Sequence, residues 1–477
     1  MGGGIEASAI REGFACIDTP PLTPPHLGEE NVLRTKSGRT CTGGEPNQSR
    51  PDNIATRIDA TLQTRAEALT RQALTSWPAE MNSAVLVVRN ADCAVRAYVG
   101  GADYLGADNA GQFDHVRALR SPGSTLKPLI YGLAFEDLAV HPLTVITDQP
   151  VQFEGYAPRN FHEGYQGDMT VREALIRSIN TSAVTVLSRV GPPRLIARLR
   201  TAAIAIRTGD ADSAAGLAIG LGGGGTSLEG LVRLFSGFAR GGIACGPSLR
   251  DGSYSGEQAA ILDPAAAWAI ADIQADEPPP AGGSARRTSD GGRRLAYKTG
   301  TSYGFRDTWS VGFDAAHTVG VWLGRSDGAP TLGATGAGTA APLMARVFDL
   351  LPLPGRDAAG PPPAGHVLAR TTDLPERLRQ FGGPARQGDR TATASAHGLR
   401  ILFPRDAGTV SANDAGAEGA IPLVAAGGAP PYYWYVDGRP IDSDGQRARW
   451  QPPGAGQATA MVVDGRGEQI EVSFWVK

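Results

Sequence analysis

Ser124 and Lys127 are the residues whose types and spacing most directly suggest catalysis. A spacing of three places both side chains on one face of a helix. A serine hydroxyl is a weak nucleophile until a neighbouring base accepts its proton. A lysine can be that base only when burial or nearby positive charge lowers its pKa. The pair therefore predicts a serine nucleophile served by a lysine base.

Lysine is scarce in this chain, which strengthens that prediction. Of the 45 Lys and Arg residues only four are lysines, so 45 − 4 = 41 are arginines. A guanidinium stays protonated and cannot act as a base. The competing interpretation of Lys127 is an ordinary surface lysine on a helix. Because the chain otherwise uses arginine for positive charge, a lysine at this position favours a chemical role.

Two further short motifs follow in order, Ser178-x-Asn180 and Lys298-Thr299-Gly300. The Ser-x-Asn pattern is weak alone: it recurs at Ser411 in a glycine-rich turn region, and the competing interpretation is a pair of helix-end residues. Lys-Thr-Gly occurs once, on a predicted strand. The ordered triple of Ser-x-x-Lys, Ser-x-Asn and Lys-Thr-Gly is the motif set of penicillin-binding proteins and serine β-lactamases.

The first two motifs supply the groups that move protons and make the acyl bond. Ser124 would attack an acyl carbonyl and become an acyl-ester, while Lys127 takes its proton. Ser178 is placed to relay a proton to the leaving amine. Asn180 can hydrogen-bond the substrate backbone amide and can also hold Lys127.

The third motif would bind the substrate. Lys298 supplies a cation that lowers neighbouring pKa values and attracts a carboxylate. The hydroxyls of Thr299 and Thr301 can hold that carboxylate, although Thr299 alone could be a plain strand residue. Gly300 lets substrate approach the strand without a side chain in the way. An oxyanion hole needs two backbone N–H groups, which we assign to Ser124 and Thr301.

Hydrophobic periodicity predicts the elements that position these motifs. Thr170 to Glu173 has the pattern of a capping box that opens the helix before Ser178. Gly222–Gly225 lacks the ending of a phosphate-binding loop and is interpreted as a tight turn between helices. The remaining predictions are a helix from about Arg57 to Trp77, a hairpin of 84–88 with 94–99, mostly helix from Gly132 to about Arg250, and antiparallel strands at 294–301, 308–313 and 318–323.

The predicted fold class is α+β, an antiparallel sheet with helices followed by a small all-β sandwich. Residues 1–50 look like an irregular linker or the remnant of another domain. The main catalytic domain spans 51–352. A Pro/Gly/Ala-rich linker follows at 353–395, with one short helix candidate near Leu374 to Phe381. Residues 396–477 contain short strands and turn signals typical of a β-sandwich.

Composition excludes several classes of function. The net charge of −3, without a basic block, argues against a nucleic-acid binder. The sequence contains no run of 18 apolar residues, so no membrane span is predicted. The first residues lack the features of a secretion signal. The scattered cysteines have no metal-ligand spacing, and we expect ordinary unpaired residues rather than a structural disulfide at Cys16, Cys41, Cys93 and Cys245.

The resemblance to a known family extends beyond the three motifs. The segments 120–128, 156–161, 172–175 and 298–307 resemble a class A penicillin-binding protein of the 1C type. The segment 399–477, with its Trp-x-x-Asp-Gly run from Trp434, is similar to the C-terminal domain of that type.

The resemblance implies a DD-transpeptidase that cross-links peptidoglycan stem peptides. The donor would end in D-Ala-D-Ala, the terminal D-Ala would leave, and an amine of a neighbouring stem would be the acceptor. β-Lactams would acylate Ser124 as substrate mimics, with no cofactor and no metal. The expected location is the periplasm, at the outer face of the bacterial inner membrane.

This sequence departs from full-length members of the family at its N-terminal side. Such members begin with a membrane helix and a glycosyltransferase domain that carries a Glu-Asp-x-x-Phe-x-x-His-type motif, and this sequence contains no such motif. Glycosyltransferase activity is therefore not expected. A separate glycosyltransferase or another cell-wall protein is a candidate partner for the C-terminal domain.

Two other functions are compatible with the same sequence. A DD-carboxypeptidase or a β-lactamase would form the same acyl-enzyme with water as the acceptor, although no clear deacylating base is visible for a β-lactamase. A non-enzymatic β-lactam sensor or cell-wall scaffold would leave the motifs unused. The C-terminal segment and the 1C-like loops favour the transpeptidase.

Overall fold

The structure is a computed structural model that describes most of the chain from residue 55 onward. The residues not described after that point are 107–108, 154–155, 163, 209–215, 251–257, 283–294, 355–361, 365–369, 382–397 and 411–419. The predicted irregular segment 1–50, with Cys16 and Cys41, lies outside the described residues.

The helices are mostly short, and none of the described ones is long and apolar enough to cross a membrane. They are α1 (Ala60–Ala73), α2 (Lys127–Glu136), α3 (Val171–Ile176), α4 (Asn180–Val190), α5 (Pro192–Thr201), α6 (Leu228–Ala239), α7 (Pro264–Gln274), α8 (Ala341–Phe348) and α9 (Glu376–Arg379).

The strands divide between an N-terminal and a C-terminal group. The first group is β1 (Met81–Arg89), β2 (Val95–Val99), β3 (Val145–Asp148), β4 (Gly167–Thr170), β5 (Arg207–Thr208), β6 (Gly224–Gly225), β7 (Ile243–Cys245), β8 (Gln258–Ala260), β9 (Ala296–Thr301), β10 (Asp307–Phe313), β11 (His317–Arg325) and β12 (Gln380–Phe381). The second is β13 (Arg400–Phe403), β14 (Thr409–Val410), β15 (Ile421–Ala426), β16 (Tyr433–Val436), β17 (Arg439–Ile441), β18 (Ser443–Asp444), β19 (Arg447–Trp450), β20 (Gly456–Val463) and β21 (Gln469–Val476).

The first group is built around a five-stranded antiparallel sheet in the order β2-β1-β11-β10-β9. β1, β10 and β11 are buried along nearly their whole length, because helices cover both faces of the sheet. One face packs into the core that contains α2, α4, α6 and α7. The other packs against α1 and α8. β9 is the edge strand next to β10, so its outer side can accept an extended chain.

This architecture confirms the predicted α+β class. The predicted hairpin corresponds to β1 and β2, and the three predicted antiparallel strands correspond to β9, β10 and β11. The capping box is present, since Thr170 and Glu173 satisfy each other's backbone N–H groups at the start of α3. The first helix is shorter than predicted because the side chain of Asp59 caps it and accepts a hydrogen bond from the Leu62 N–H.

Two predictions of local structure were wrong in part. Gly222–Gly225 is not simply a turn between helices, because Gly224 and Gly225 pair as strand β6 with β5. The helix predicted near Leu374 to Phe381 ends at Arg379. Gln380 and Phe381 instead form β12, which lies parallel to β3, and Phe381 packs against the main core. In both places the segment has a weak local preference for any secondary structure, and a neighbouring strand in the fold supplies its hydrogen-bond partner.

The second group is all β, as predicted. One sheet has the order β13-β15-β19-β18 and the other β14-β21-β20-β16-β17. Both contribute to a single apolar core, with Leu423 from the first sheet and Trp434 and Phe474 from the second fully buried. Two sheets around one core form a sandwich.

Arg198 on α5 connects the sandwich to the helices around the main sheet. Its side chain is only 5% exposed. One nitrogen donates to the Ile261 carbonyl at 2.7 Å, and another donates to the Arg466 carbonyl in the turn between β20 and β21. Arg198 also forms an ion pair with Glu136, the last residue of α2, at 3.1 Å. A small apolar contact of Ala197 with Tyr435 and Val463 lies beside it.

The cysteine prediction was wrong, because Cys93 and Cys245 form a disulfide. Their Cα atoms are 6.3 Å apart, within the range that such a bond requires. Cys93 lies in the β1–β2 turn and Cys245 ends β7. The Ser248 N–H donates to the Cys93 carbonyl at 2.8 Å beside the bridge. Linear spacing could not reveal this pairing, since 152 residues separate the two cysteines.

We predict that the double substitution Cys93→Ala with Cys245→Ala lowers the free energy of unfolding by about 2–5 kcal/mol. The bridge limits the unfolded chain across a long loop, and that limit is lost in the variant. Denaturant titration under oxidising conditions measures the change. As a control, a reductant should lower the stability of the wild type to that of the variant. Equal stability of all forms would contradict the role of the bridge.

Candidate active site

The serine motif lies in a turn that leads directly into α2. Gly123 to Leu126 form a single 3₁₀ turn and α2 begins at Lys127, so Ser124 lies in the turn that precedes the helix and Lys127 is the first residue of the helix. Pro128 occupies the first turn of α2, where its missing N–H costs nothing. Ser124 is half-buried, whereas Lys127 is fully buried.

Glycines allow this turn to lie directly against β9. A Cβ at Gly300 would fall 2.6 Å from the Pro122 carbonyl oxygen and 3.4 Å from the Ser124 nitrogen. Gly123 has a φ of +54°, and a Cβ there would lie 2.5 Å from the Thr301 carbonyl oxygen. A side chain at either position would therefore push the nucleophile away from the strand.

Two further contacts fix the turn from outside. Trp309 on β10 donates its indole N–H to the Ser121 carbonyl at 2.8 Å. The Ser121 hydroxyl donates to the Gly222 carbonyl at 2.8 Å. A Cβ at Gly222 would lie 2.8 Å from the Gly123 nitrogen, so the glycine run makes room for the serine turn.

Lys127 joins the first two motifs. Its Nζ donates to the Asn180 Oδ1 at 2.6 Å and to the Ser178 carbonyl at 2.6 Å, and lies 3.3 Å from the Ser178 hydroxyl. All three acceptors are neutral oxygens. The structure thus places Asn180 in contact with Lys127.

Ser178 lies in backbone geometry that usually belongs to glycine. Its φ is +57°, and it follows α3 at the position where a left-handed residue ends a helix. The Ser178 N–H donates to the Leu175 carbonyl at 3.1 Å and the Ile179 N–H to the Ala174 carbonyl at 3.0 Å, the two bonds of a Schellman motif. A serine in this conformation costs backbone energy that a glycine would not.

The electrostatic environment of Lys127 favours its neutral form. Burial lowers the pKa of Lys127 well below that of a solvated lysine, and the Lys298 ammonium lowers it further. A lysine must be neutral to accept the proton of a serine hydroxyl, so this lowered pKa favours the role of a base. The predicted influence of the third motif on neighbouring pKa values therefore acts on Lys127.

Lys298 is itself buried, with 1% of its surface exposed. Burial lowers the pKa of Lys298 and the carboxyl of Glu277 opposes that shift. Desolvation raises the pKa of Glu277 to about 7, with Lys298 opposing. The Lys298 ammonium donates to the Thr299 carbonyl at 3.2 Å, at the edge of β9. Glu277, which sequence reasoning missed, is the carboxyl that balances this cation.

The backbone of Thr301 faces the serine turn. Ser302 donates its N–H to the Asp307 carbonyl across the β9–β10 pair at 2.9 Å. Because alternate residues of an antiparallel strand bond to opposite sides, the Thr301 N–H points to the outer edge. The Thr301 nitrogen would lie 2.9 Å from a Cβ at Gly123, which confirms the direction. The Thr301 hydroxyl accepts from the Gly336 N–H at 3.0 Å, so its proton can be donated to a ligand.

A second layer around Asn180 was not predicted. The Asn180 Nδ2 donates to the Arg159 carbonyl at 2.7 Å, and the Asn160 Oδ1 accepts from the Asn180 N–H at 3.0 Å. Asn160 is held by Asp148, which is 1% exposed and accepts from its Nδ2 at 2.9 Å. No sequence spacing links Asp148 to the motifs. Asn160, in contrast, lies in segment 156–161, one of the segments that resemble the 1C type.

The three motifs thus meet at one place. Ser178 and Asn180 contact Lys127, and β9 at Gly300 and Thr301 packs against the turn that contains Ser124. The Lys298 charge acts on Lys127 from β9. A covered antiparallel sheet with these motif positions defines the class of active-site-serine proteins that acylate on Ser-x-x-Lys.

Sequence comparison identifies the family. Residues 83–348, more than half of the chain, match the family described as "Penicillin binding protein transpeptidase domain". The chain therefore belongs to the penicillin-binding protein transpeptidase family. Residues 388–474 match the "Penicillin-Binding Protein C-terminus Family".

Curated relatives support the same placement. Penicillin-binding protein 1C of Escherichia coli is 37% identical over 333 residues, which are 70% of this chain and 40% of that protein. Penicillin-binding protein 1A of Neisseria meningitidis is 30% identical over 48% of this chain and 31% of its own length. This chain therefore spans less than half the length of these relatives.

Solved structures support the fold. The PonA1 protein of Mycobacterium tuberculosis, in complex with penicillin V, superposes with a TM-score of 0.54 at 23% identity. The match covers 65% of this chain and 92% of that one.

We predict that Lys298→Ala shifts the pH dependence of Ser124 acylation to higher pH. The base must be neutral, so the acylation rate falls as the pH falls through the Lys127 pKa. Removal of the Lys298 charge removes one cause that lowers this pKa. The second-order rate constant of acylation by a chromogenic penicillin, measured against pH, gives the shift.

Lys298→Arg is the matched control because it keeps the charge. Its profile should remain near that of the wild type even where its rate is lower. A Lys298→Ala profile that coincides with the wild type would disprove the coupling between the two lysines.

Proposed function

We propose that this chain is a serine DD-transpeptidase that cross-links peptidoglycan stem peptides through an acyl-enzyme on Ser124. The observation that carries the proposal is the burial of Lys127 among three neutral oxygen acceptors. A buried ammonium without a carboxylate partner is expensive to keep charged. The amine is therefore suited to take the Ser124 proton.

The donor peptide would bind along the outer edge of β9. Its terminal carboxylate would be attracted by Lys298 and held by the hydroxyls of Thr299 and Thr301. Gly300 leaves the space that an extended peptide needs. The scissile carbonyl oxygen would lie between the N–H groups of Ser124 and Thr301, where developing negative charge is stabilised.

Acyl transfer would then proceed in two halves. The Ser124 oxygen attacks the carbonyl carbon while its proton passes to Lys127. As the carbon–nitrogen bond breaks, the Ser178 hydroxyl gives its proton to the leaving D-Ala amine and takes the proton that Lys127 received. In the second half, the amine of an acceptor stem attacks the ester carbon, the bond from that carbon to the Ser124 oxygen breaks, and the proton that the amine loses passes through Lys127 to Ser124. Asn180 would hold the donor backbone amide while also fixing Lys127.

β-Lactams fit the same proposal. A penicillin presents a carboxylate and a reactive amide carbonyl in the relation that the donor would have, and its opened ring would stay attached to Ser124. Slow hydrolysis of that ester distinguishes a transpeptidase from the β-lactamase alternative. No cofactor or metal takes part in the proposed steps.

The Cys93–Cys245 disulfide supports a location outside the cytoplasm, because such bridges persist in oxidising compartments. The penicillin-binding family is extracytoplasmic, and we propose the periplasmic face of the inner membrane for this chain. We also propose a transpeptidase domain at 51–352, a linker at 353–395 and a C-terminal β-sandwich at 396–477. A separate glycosyltransferase or another cell-wall protein is the proposed partner of the sandwich.

We predict that fluorescent penicillin labels the purified chain covalently and that Ser124→Ala abolishes the label. Ser188→Ala, which removes an exposed serine on α4, is the matched control and should label like the wild type. Gel fluorescence over time measures both formation and loss of the label.

Three outcomes separate the functions. A label that is lost only in the Ser124 variant and persists for many minutes supports the penicillin-binding transpeptidase. A label that forms and disappears within seconds supports a β-lactamase. A folded wild type without label leaves only a scaffold role.

A further inference from the structure

One aromatic contact joins the loop that follows Asn160 to the turn that follows β9. The rings of Phe161 and Phe305 are 5.8 Å apart between centroids and inclined at 72°, an edge-to-face arrangement. Phe161 is 55% exposed and Phe305 is half-buried. Aromatic side chains with this exposure offer an apolar surface to a ligand that binds beside them.

Both rings are held by residues of the site. Phe161 directly follows Asn160, whose Oδ1 accepts from the N–H of Asn180. Phe305 lies in the turn that follows β9, where its N–H donates to the Ser302 carbonyl at 3.1 Å and its carbonyl accepts from the Thr331 N–H at 2.9 Å. The Asn180 side of the site therefore positions Phe161, and the turn after β9 positions Phe305.

A donor peptide that binds along β9 would extend towards Phe161 and Phe305. With its carboxylate near Thr299 and its carbonyl at the Thr301 N–H, the rest of the donor must continue past Thr301. The chain advances roughly 3.3 Å per residue in an extended strand. The group attached on the acyl side of the reacting carbonyl therefore reaches the turn from Ser302 to Phe305.

We propose that Phe161 and Phe305 form the apolar subsite for the side group on the acyl side of the reacting carbonyl. In a peptide donor this group is the aliphatic part of the side chain that precedes the acylated residue. In a penicillin it is the substituent on the side-chain amide. The assignment deepens the proposed transpeptidase function and rests on it. The two residues determine specificity and take no part in proton transfer.

Two penicillins test the subsite directly. Benzylpenicillin and 6-acetamidopenicillanic acid share the ring system, the carboxylate and the amide, and differ by one phenyl ring. The wild type should acylate faster with benzylpenicillin. Phe161→Ala and Phe305→Ala should each reduce the benzylpenicillin rate constant about tenfold, because an aromatic contact and its buried area are lost. The acetamido rate constant should change little, and it also shows that the variant is folded.

Tyr303→Ala is the matched control. It removes an aromatic ring from the same turn, but that ring is 98% exposed. The control should keep the wild-type ratio of the two rate constants. An unchanged ratio in both Phe variants, or an equal loss in the Tyr303 variant, would overturn the assignment. Absence of acylation by either penicillin in the wild type would instead refute the proposed function, so the two failures are distinguishable.

Discussion

The site depends on burial of the Lys127 amine, which has no carboxylate partner among the residues that the structure describes. Lys127 begins α2, is fully buried, and donates to neutral oxygens on Ser178 and Asn180. Desolvation disfavours its charged form, and the neighbouring Lys298 reinforces that preference. The strained backbone at Ser178 belongs to the same arrangement, because it directs the Ser178 carbonyl and hydroxyl to this amine.

Close backbone contact is the second requirement. In the proposed function, Ser124 and the Thr301 N–H act on one substrate carbonyl, so the serine turn must contact the edge strand. Glycine at 123, 222 and 300 provides that approach, since a Cβ at any of them would overlap backbone atoms. The main sheet also holds the site in place. β10 pairs with β9, and Trp309 on β10 donates a hydrogen bond to the Ser121 carbonyl in the serine turn.

Contacts away from the site hold the opposite ends of the elements that form it. Glu136 ends α2, accepts from the N–H of Asp263 at the start of α7 at 2.7 Å, and pairs with Arg198. Arg198 also donates a hydrogen bond to the Arg466 carbonyl in a turn of the sandwich, which extends this network to the C-terminal sheets. The helix that begins with Lys127 is thus connected at its other end to the C-terminal sheets. The Cys93–Cys245 bridge provides a similar connection for the hairpin that opens the main sheet.

The sequence by itself determined the chemistry and the main elements. Ordered short motifs predicted Ser124, Lys127, Ser178, Asn180 and the β9 residues, because local residue types specify reactive groups. Alternating and helical hydrophobic patterns predicted the hairpin, the three strands and the α+β class. Only the tertiary structure decided the support of Asn180 by Asp148, the balance of Lys298 by Glu277, the pairing of Cys93 with Cys245 and the contact of Phe161 with Phe305. Each of these joins residues far apart in the chain, and one sequence carries no information on such distances beyond what local pattern and spacing provide.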